Sequence, residues 1–292
     1  MKKLLFTLGI FLHTVLCLPI QAETATIDSL KRELQLAEQK NSTKEQLIEL
    51  YQFLGAEYET LDHDSSYHYI QKGLSLYSKP TFEEEGYLQL LNSLANYLFM
   101  EGKIEQAKEK FKTVATHAPQ LKERRYDLEG VVESSIGVCY RKLGMFDSAV
   151  YHYNRAIDLC KKTEKYEDIA STYYNIGVLY HLNKRYEEAL TQGKQAAEYA
   201  RKANDSLMEL YASSLIGGCY SSMGKYVEAS HILKKNINKA LELKYPLLAM
   251  SSLSPLLSTY QLWNKKDSVR IFLKKGEELI AEFNLQMQQN SD

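Results

Sequence analysis

Proline and glycine are scarce in this chain of 292 residues, with 5 and 14 occurrences. That scarcity argues against collagen-like, linker-like and turn-dense all-β structures. A surplus of positive charge is also missing, because 36 Lys and Arg stand against 37 Asp and Glu. Binding to nucleic acid by counterion release needs such a surplus. We therefore expect no nucleic-acid partner.

Cysteine is rare as well, with four in the chain, and none belongs to a Cys-x-x-Cys or closely spaced Cys/His set. A zinc site is therefore not expected. Beyond the N-terminal segment only Cys139, Cys160 and Cys219 remain, and we interpret them as small core side chains. The sequence has no Gly-rich phosphate loop, His-Glu-x-x-His or nucleophile elbow. We expect no catalytic residue, no metal and no cofactor.

The N-terminus has the pattern of a secretory signal peptide. Residues 1–22 contain two lysines, an apolar run and then the small Ala22 before Glu23. An uncleaved anchor is one alternative, and a lipidated Cys17 is another. The pattern predicts cleavage after Ala22 and a periplasmic or secreted protein.

A second segment without charge, Tyr245–Asn264, raises the question of a membrane span. It contains two prolines, four serines, a threonine and a glutamine, which is a poor composition for a span of about 20 residues. We interpret it as a buried helix that Pro255 kinks or locally unwinds. No transmembrane span is expected in the mature chain.

The chain repeats itself with a period of 40 residues. The motif Ile-Gly-x-x-Tyr begins at Ile136, Ile176 and Ile216, and six copies can be aligned over residues 44–285. Each copy has two apolar stripes at helical spacing, separated by a turn, so each copy predicts a helical hairpin. Gly or Ala recurs where the two helices of a hairpin would approach closely.

Capping signals predict where the helices begin. Ser/Thr-x-x-Glu boxes indicate the starts of first helices at Ser42, Thr81 and Ser206. Aspartates suited to cap second helices stand at Asp64, Asp147 and Asp267.

This pattern resembles the tetratricopeptide repeat, whose signature places Leu-Gly, Tyr, Ala, an aromatic residue and Ala along two antiparallel helices. The resemblance implies an all-α fold, a right-handed solenoid of about six antiparallel hairpins over residues 44–285. The family period is about 34 residues, so the longer period implies about one more turn on the second helix and a longer connection. We predict an N-terminal capping helix over residues 23–43 and a C-terminal tail over residues 286–292.

The resemblance also implies a ligand site on the concave face, which first helices line at recurring positions. The residues at those positions include Asn92, Asn96, Ser134, Arg141, Tyr174, Asn175, Val178, His181, Ser214 and Ser221. Asn92 and Asn96 are one helical turn apart, so their amides could address successive peptide groups of an extended ligand. The alternative is a solvated face without a specific partner. Capture of a C-terminal carboxylate is not indicated, because Arg141 has no basic partners at equivalent positions.

Two functions are compatible with these features. The first is an exported, non-enzymatic scaffold that binds a protein or peptide. The second is the input domain of an envelope signalling or transcription-regulating system, stand-alone or truncated, since a long-period repeat behind a signal peptide resembles the periplasmic half of some membrane-bound bacterial regulators. A charge-free run encoded just after Asp292 would favour the second.

Overall fold

The structure is a computed structural model that describes residues 20–40, 42–59 and 61–289. Most of the predicted signal peptide, residues 1–22, lies outside the described residues, as do the last three residues of the predicted tail. The described part forms 13 α-helices and one short 3₁₀-helix, without a strand. The all-α fold class is therefore confirmed. The described residues fall into two compact units, 20–163 and 164–289.

The unit of residues 20–163 contains one leading helix and three hairpins. Its helices are α1 (Ile20–Gln39), α2 (Lys44–Glu57), α3 (His63–Ser75), α4 (Glu85–Met100), α5 (Ile104–His117), the 3₁₀-helix (Ala118–Gln120), α6 (Tyr126–Lys142) and α7 (Phe146–Cys160). Helix α1 buries Ile27 and Leu34 against Tyr51 and Leu54 of α2. It thereby covers the apolar side of the first hairpin, as a terminal helix of a repeat array must.

The unit of residues 164–289 contains three further hairpins. Its helices are α8 (Tyr166–Leu182), α9 (Tyr186–Lys202), α10 (Ser206–Ser222), α11 (Tyr226–Glu242), α12 (Pro246–Leu262) and α13 (Lys266–Gln289). Helix α13 continues through residue 289, so the residues predicted as a tail are partly helical.

Small residues bring the helices of a hairpin together, as their spacing indicated. A Cβ added to Gly137 would lie 2.7 Å from the ring of Tyr153, and one added to Gly217 would lie 2.6 Å from Leu233. Both positions therefore have no room for a side chain. Ala149 and Ala229 are fully buried at matching places in their hairpins.

From the second hairpin onward, the two helices of a hairpin are joined by a tight turn with one left-handed residue. That residue is Gly144 (φ 74°) after α6, Gly224 (φ 76°) after α10, and Lys184 (φ 60°) after α8. In the first of these turns the N–H of Met145 donates to the carbonyl of Tyr140 at 2.9 Å. That bond satisfies a carbonyl at the end of the helix, as in a Schellman motif.

These turns correct the predicted caps. Helix α7 has no side-chain cap, and Asp147 lies inside its first turn instead, where a carboxylate interacts favourably with the helix dipole. The capping box of α2 is formed by Thr43 with Gln46 rather than by Ser42.

Other predicted caps are also displaced. The residue that caps α10 is Asp205 rather than Ser206, and Asp62 rather than Asp64 caps α3. Helix α4 begins after Glu84 without a side-chain cap, so the box predicted at Thr81 is wrong. Ser, Thr and Asp can all serve as N-caps, so where several of them stand close together their residue types alone do not identify the cap.

Helix α12 contains most of the charge-free segment. The prediction that Pro255 locally unwinds it is wrong, because the helix runs unbroken from residue 246 to 262. Leu253, Leu256 and Leu257 are almost fully buried around the proline, and their packing holds the helix although Pro255 cannot donate a backbone hydrogen bond. In the described residues, no helix is long and apolar enough to cross a membrane.

Candidate ligand-binding faces

Each unit presents a surface formed by the first helices of its hairpins, which we call its first-helix face. In residues 20–163 this face is formed by α2, α4 and α6, and in residues 164–289 by α8, α10 and α12. Neighbouring first helices are joined by polar contacts. For example, the Gln52 amide of α2 donates to the carbonyl of Gly86 at 3.1 Å.

Asn92 and Asn96 lie half-buried on α4. The Asn92 Oδ1 atom is buried and has no hydrogen-bond partner within the described part of the chain. A buried amide oxygen left in that state costs about 1–3 kcal/mol. Asn92 therefore carries an acceptor that no described residue uses, and a ligand N–H can reach it only if the side chain turns outward.

The beginning of α4 is fixed by charged groups. Glu85 accepts a hydrogen bond from the Gln89 amide at 2.7 Å and also pairs with Arg125. The same Arg125 donates to Asp127 at 2.7 Å, and this bond is the main reason why the pKa of Asp127 is lowered. The network ties α4 to the start of α6 and so sets the spacing of the first-helix face.

Ser134 and Arg141 lie half-buried on α6. The Arg141 guanidinium lies beside the phenol of Tyr153, which is fully buried. Burial raises the pKa of Tyr153 to about 12, and the positive charge of Arg141 opposes that rise. The Arg141 Nε atom is itself buried and without a partner in the described residues. Arg141 is thus drawn towards the core.

On the second unit, Tyr174 and His181 connect α8 to α10. The Tyr174 ring lies 5.9 Å from the ring of Tyr211, measured between centroids. The His181 Nε2 atom lies 3.3 Å from the Ser222 hydroxyl, and burial lowers the pKa of His181 although the backbone of Gly218 opposes the shift. His181 is therefore neutral at neutral pH and offers a ring nitrogen for hydrogen bonding.

Asn175, Val178 and Ser214 are half-buried on the same first-helix face. Ser221 differs, because only 6% of it is exposed and its hydroxyl accepts a hydrogen bond from Thr259 of α12 at 2.9 Å. It stabilises the contact of α10 with α12 and does not line a surface. The other predicted residues lie on first helices of both units. Residues 20–163 contain Asn92, Asn96, Ser134 and Arg141, and residues 164–289 contain Tyr174, Asn175, Val178, His181 and Ser214.

One buried polar cluster, formed by Glu133, His152 and Arg155, was not predicted from the sequence. Glu133 of α6 is 3% exposed, and its carboxylate lies 2.6 Å from the His152 Nδ1 atom and 3.1 Å from the Arg155 guanidinium of α7. The His152 ring also stacks on Tyr140 at 5.2 Å. A signal existed in the sequence, since Glu133 interrupts an apolar stripe while His152 and Arg155 are one turn apart.

The described side chains do not indicate a metal site. Among the described residues, no group of three or more His, Cys, Asp or Glu side chains could hold a metal ion.

Solved structures support the assignment of the fold. A Rap protein complexed with Competence and Sporulation Factor is 16% identical with a TM-score of 0.65, covering 92% of this chain and 79% of that one. A signal-transduction ATPase with a tetratricopeptide repeat sensor, from Pyrococcus horikoshii, is 17% identical with a TM-score of 0.70, covering 92% of this chain and 42% of that one.

Sequence comparisons point to the same fold. The transcriptional activator NprA of Geobacillus stearothermophilus is 28% identical over 110 residues, which are 37% of this chain and 27% of the activator. The match thus spans about a quarter of that relative. The model of the tetratricopeptide repeat matches residues 86–162 and 168–241, which is more than half of the chain and includes hairpins from both units. The chain belongs to the tetratricopeptide repeat family.

Proposed function

We propose that this protein is an exported, non-enzymatic scaffold that binds a protein or peptide on its first-helix faces. Binding of a protein or peptide partner is the usual role of the tetratricopeptide repeat fold. The Rap protein of similar fold carries a bound factor in its solved structure. Export rests on the signal-peptide pattern of residues 1–22.

The observation that carries the binding role is the unpartnered oxygen of Asn92. Asn96 stands one turn further along α4, and an Asn side chain both donates and accepts hydrogen bonds. The pair matches the alternating N–H and C=O groups of an extended peptide. Asn175 and neutral His181 offer equivalent groups on the second unit.

The binding role is tested with residues 23–292 as bait in envelope extract, followed by affinity measurements on the recovered ligand. Asn96→Ala and Asn175→Ala are made singly and together, because each belongs to a different unit. A lost hydrogen bond to a ligand backbone costs about 1–3 kcal/mol, so the double variant should bind roughly tenfold more weakly or worse. Circular dichroism should show unchanged helicity.

The matched control is Lys161→Ala with Lys194→Ala, two exposed residues on or next to second helices. It should leave the affinity unchanged. If this pair weakens binding while the asparagine pair does not, the first-helix faces are not the site.

Export is tested separately by N-terminal sequencing of the protein purified from its natural host. We expect the mature chain to begin at Glu23. An intact Met1 or a lipidated Cys17 contradicts the proposal.

A second candidate is the input domain of a signalling or transcription-regulating system. It is supported by the similarity to the transcriptional activator NprA and to a protein with a tetratricopeptide repeat sensor. A charge-free run of about 20 residues encoded directly after Asp292 would favour this role, since that length spans a bilayer as a helix. A stop codon at that point favours the scaffold.

A further inference from the structure

His181 joins two first helices of the second unit. It lies in the last turn of α8, and its Nε2 atom lies 3.3 Å from the hydroxyl of Ser222, the last residue of α10. The ring also lies against the backbone of Gly218, one turn earlier on α10. Helices α8 and α10 are neighbours in the first-helix face. The contact therefore ties the ends of these two helices together, and we call it the His181 contact.

The ring fits at this place because Gly218 has no side chain. A Cβ added to Gly218 would lie 3.9 Å from the His181 Nε2 atom, so the further atoms of a branched side chain would enter the space of the ring. The 40-residue register places Val178 and Ser258 at the equivalent positions of α8 and α12, and Gln261 at the position of His181. Within this unit, histidine and glycine therefore meet only between α8 and α10.

The ring of His181 has no acidic partner among the described residues of this unit. Helices α9 and α10 pack against α8, and from α9 the Tyr186 ring faces His181 with the centroids 5.3 Å apart. In the turn between α8 and α9 and the helix start that follows, Arg185 and Glu188 pair with each other at 2.7 Å, and Lys184 is exposed. A proton on the His181 ring therefore adds a charge that no carboxylate of these helices balances.

Burial is the main effect on the pKa of His181. It lowers the pKa from the ordinary value of 6.5, and the Gly218 backbone acts in the opposite direction more weakly. The cause is the cost of taking a charged ring out of water. Two other titratable groups of α9 and α10 interact with each other, since Glu187 contributes to the raised pKa of the Cys219 thiol. The closed contact thus favours the neutral ring, whereas a ring released into water has its ordinary pKa.

We propose that the His181 contact is a pH-sensitive joint of the first-helix face in residues 164–289. At neutral pH the neutral ring keeps the ends of α8 and α10 together. As the pH falls below the ordinary range of histidine, the open form binds a proton more readily than the closed form. Acid therefore shifts the equilibrium towards the open form and loosens this end of the face. The inference rests on the proposed function only in that the loosened surface is the ligand face.

The first measurement is an NMR titration of the histidine rings in the purified protein. His181 and His231 are the two histidines of this unit, and His231 is exposed on α11. The spectra of His181→Gln and His231→Gln assign the two signals. We expect His181 to titrate at lower pH in the folded protein than in the same protein unfolded in urea, because only the folded protein buries the ring.

The second measurement is amide hydrogen exchange of the last turns of α8 and α10 at pH 7.5 and at about pH 5.5, corrected for the intrinsic effect of pH. In the wild type we expect protection to fall by about threefold or more at the lower pH, since an open ring is then mostly protonated. His181→Gln carries the residue found at this position in α12, which does not titrate, and it should show no such fall. The control His231→Gln should keep the wild-type response.

Two results overturn the proposal. One is a His181 ring that titrates at the same or a higher pH in the folded protein, because the Gly218 backbone and the dipole at the end of α8 then outweigh burial. The other is an equal acid-induced loss of protection in the wild type and in His181→Gln. Neither measurement uses a ligand, so a failure of the proposed binding role leaves both results unchanged.

Discussion

Asn236 gives the sharpest test of how α11 is held in place. Matching positions in the preceding two hairpins carry Ala156 and Ala196, whereas Asn236 is 4% exposed and joins three helices. Its amide donates to Leu210 in α10 and to Ser252 in α12. The substitution Asn236→Ala therefore restores the residue of the neighbouring repeats and removes two buried hydrogen bonds.

The expected loss follows from those two bonds. Each contributes about 0.5–1.5 kcal/mol to the free energy of unfolding, so Asn236→Ala should cost about 1–3 kcal/mol. Ser252→Ala removes one bond and leaves one amide N–H of Asn236 buried without its acceptor, which costs about 1–3 kcal/mol. In the double variant the shared bond is lost only once. Its cost should fall short of the sum by about 1 kcal/mol.

The measurement is urea unfolding of the wild type, both single variants and the double variant, followed by circular dichroism. Ser258→Ala is the control, because Ser258 is an exposed serine on α12, the helix that also carries Ser252. The loss of its hydroxyl should change the free energy of unfolding by no more than about 0.5 kcal/mol. If the two single costs add within about 0.3 kcal/mol, the Asn236 to Ser252 bond does not couple these helices. The bonds of Asn236 then do not fix the rotation of α11 about its axis.

The hairpins could be predicted because their period is repeated in the apolar residues and in the turns. Gly144 and Gly224 mark two turns in the sequence, and both are left-handed in the structure. Lys184 and Asn264 occupy the same place in their repeats and take the same conformation at φ 60° and 57°. No local preference favours a left-handed lysine. The geometry of the hairpin imposes it, and only the 40-residue register reveals it.

The caps could not be predicted with the same certainty. A side-chain cap was expected at Asp147, but the preceding turn already ends α6 with a backbone bond from Met145 to Tyr140, and α7 begins immediately after that turn. The first-turn carboxylate then interacts with the helix dipole without capping a single N–H. Sequence alone does not separate these two uses of an aspartate.

The sequence predicts which residues lie on the first helices, but it does not predict which of their side chains are exposed. The register assigns Asn96 and Asn175 to first helices, and both side chains are half-buried there. It fails for Ser221, because the side chain opposite, Thr259, donates a hydrogen bond that buries the serine hydroxyl. Exposure at such positions depends on a residue 38 positions away. The side chain that the neighbouring hairpin places opposite, in addition to helical phase, decides whether Ser221 is exposed.

Three further predictions follow from local features. Ala149→Leu should destabilise the protein by about 1–3 kcal/mol in thermal unfolding, because the site is fully buried and overpacking strains it; an unchanged midpoint contradicts the tight contact. Burial raises the pKa of Cys139 to about 11 and of Cys219 to about 12, so thiol reagents should label them at mildly alkaline pH only after unfolding, since the thiolate is the reactive form. Lys184→Gly should raise the unfolding free energy by about 0.5 kcal/mol: a left-handed non-glycine residue costs at least about 1 kcal/mol, and the extra freedom of glycine in the unfolded chain offsets part of that gain. Gly144→Lys should have the opposite sign, and equal signs for the two exchanges would show that the turn conformation does not set their stability.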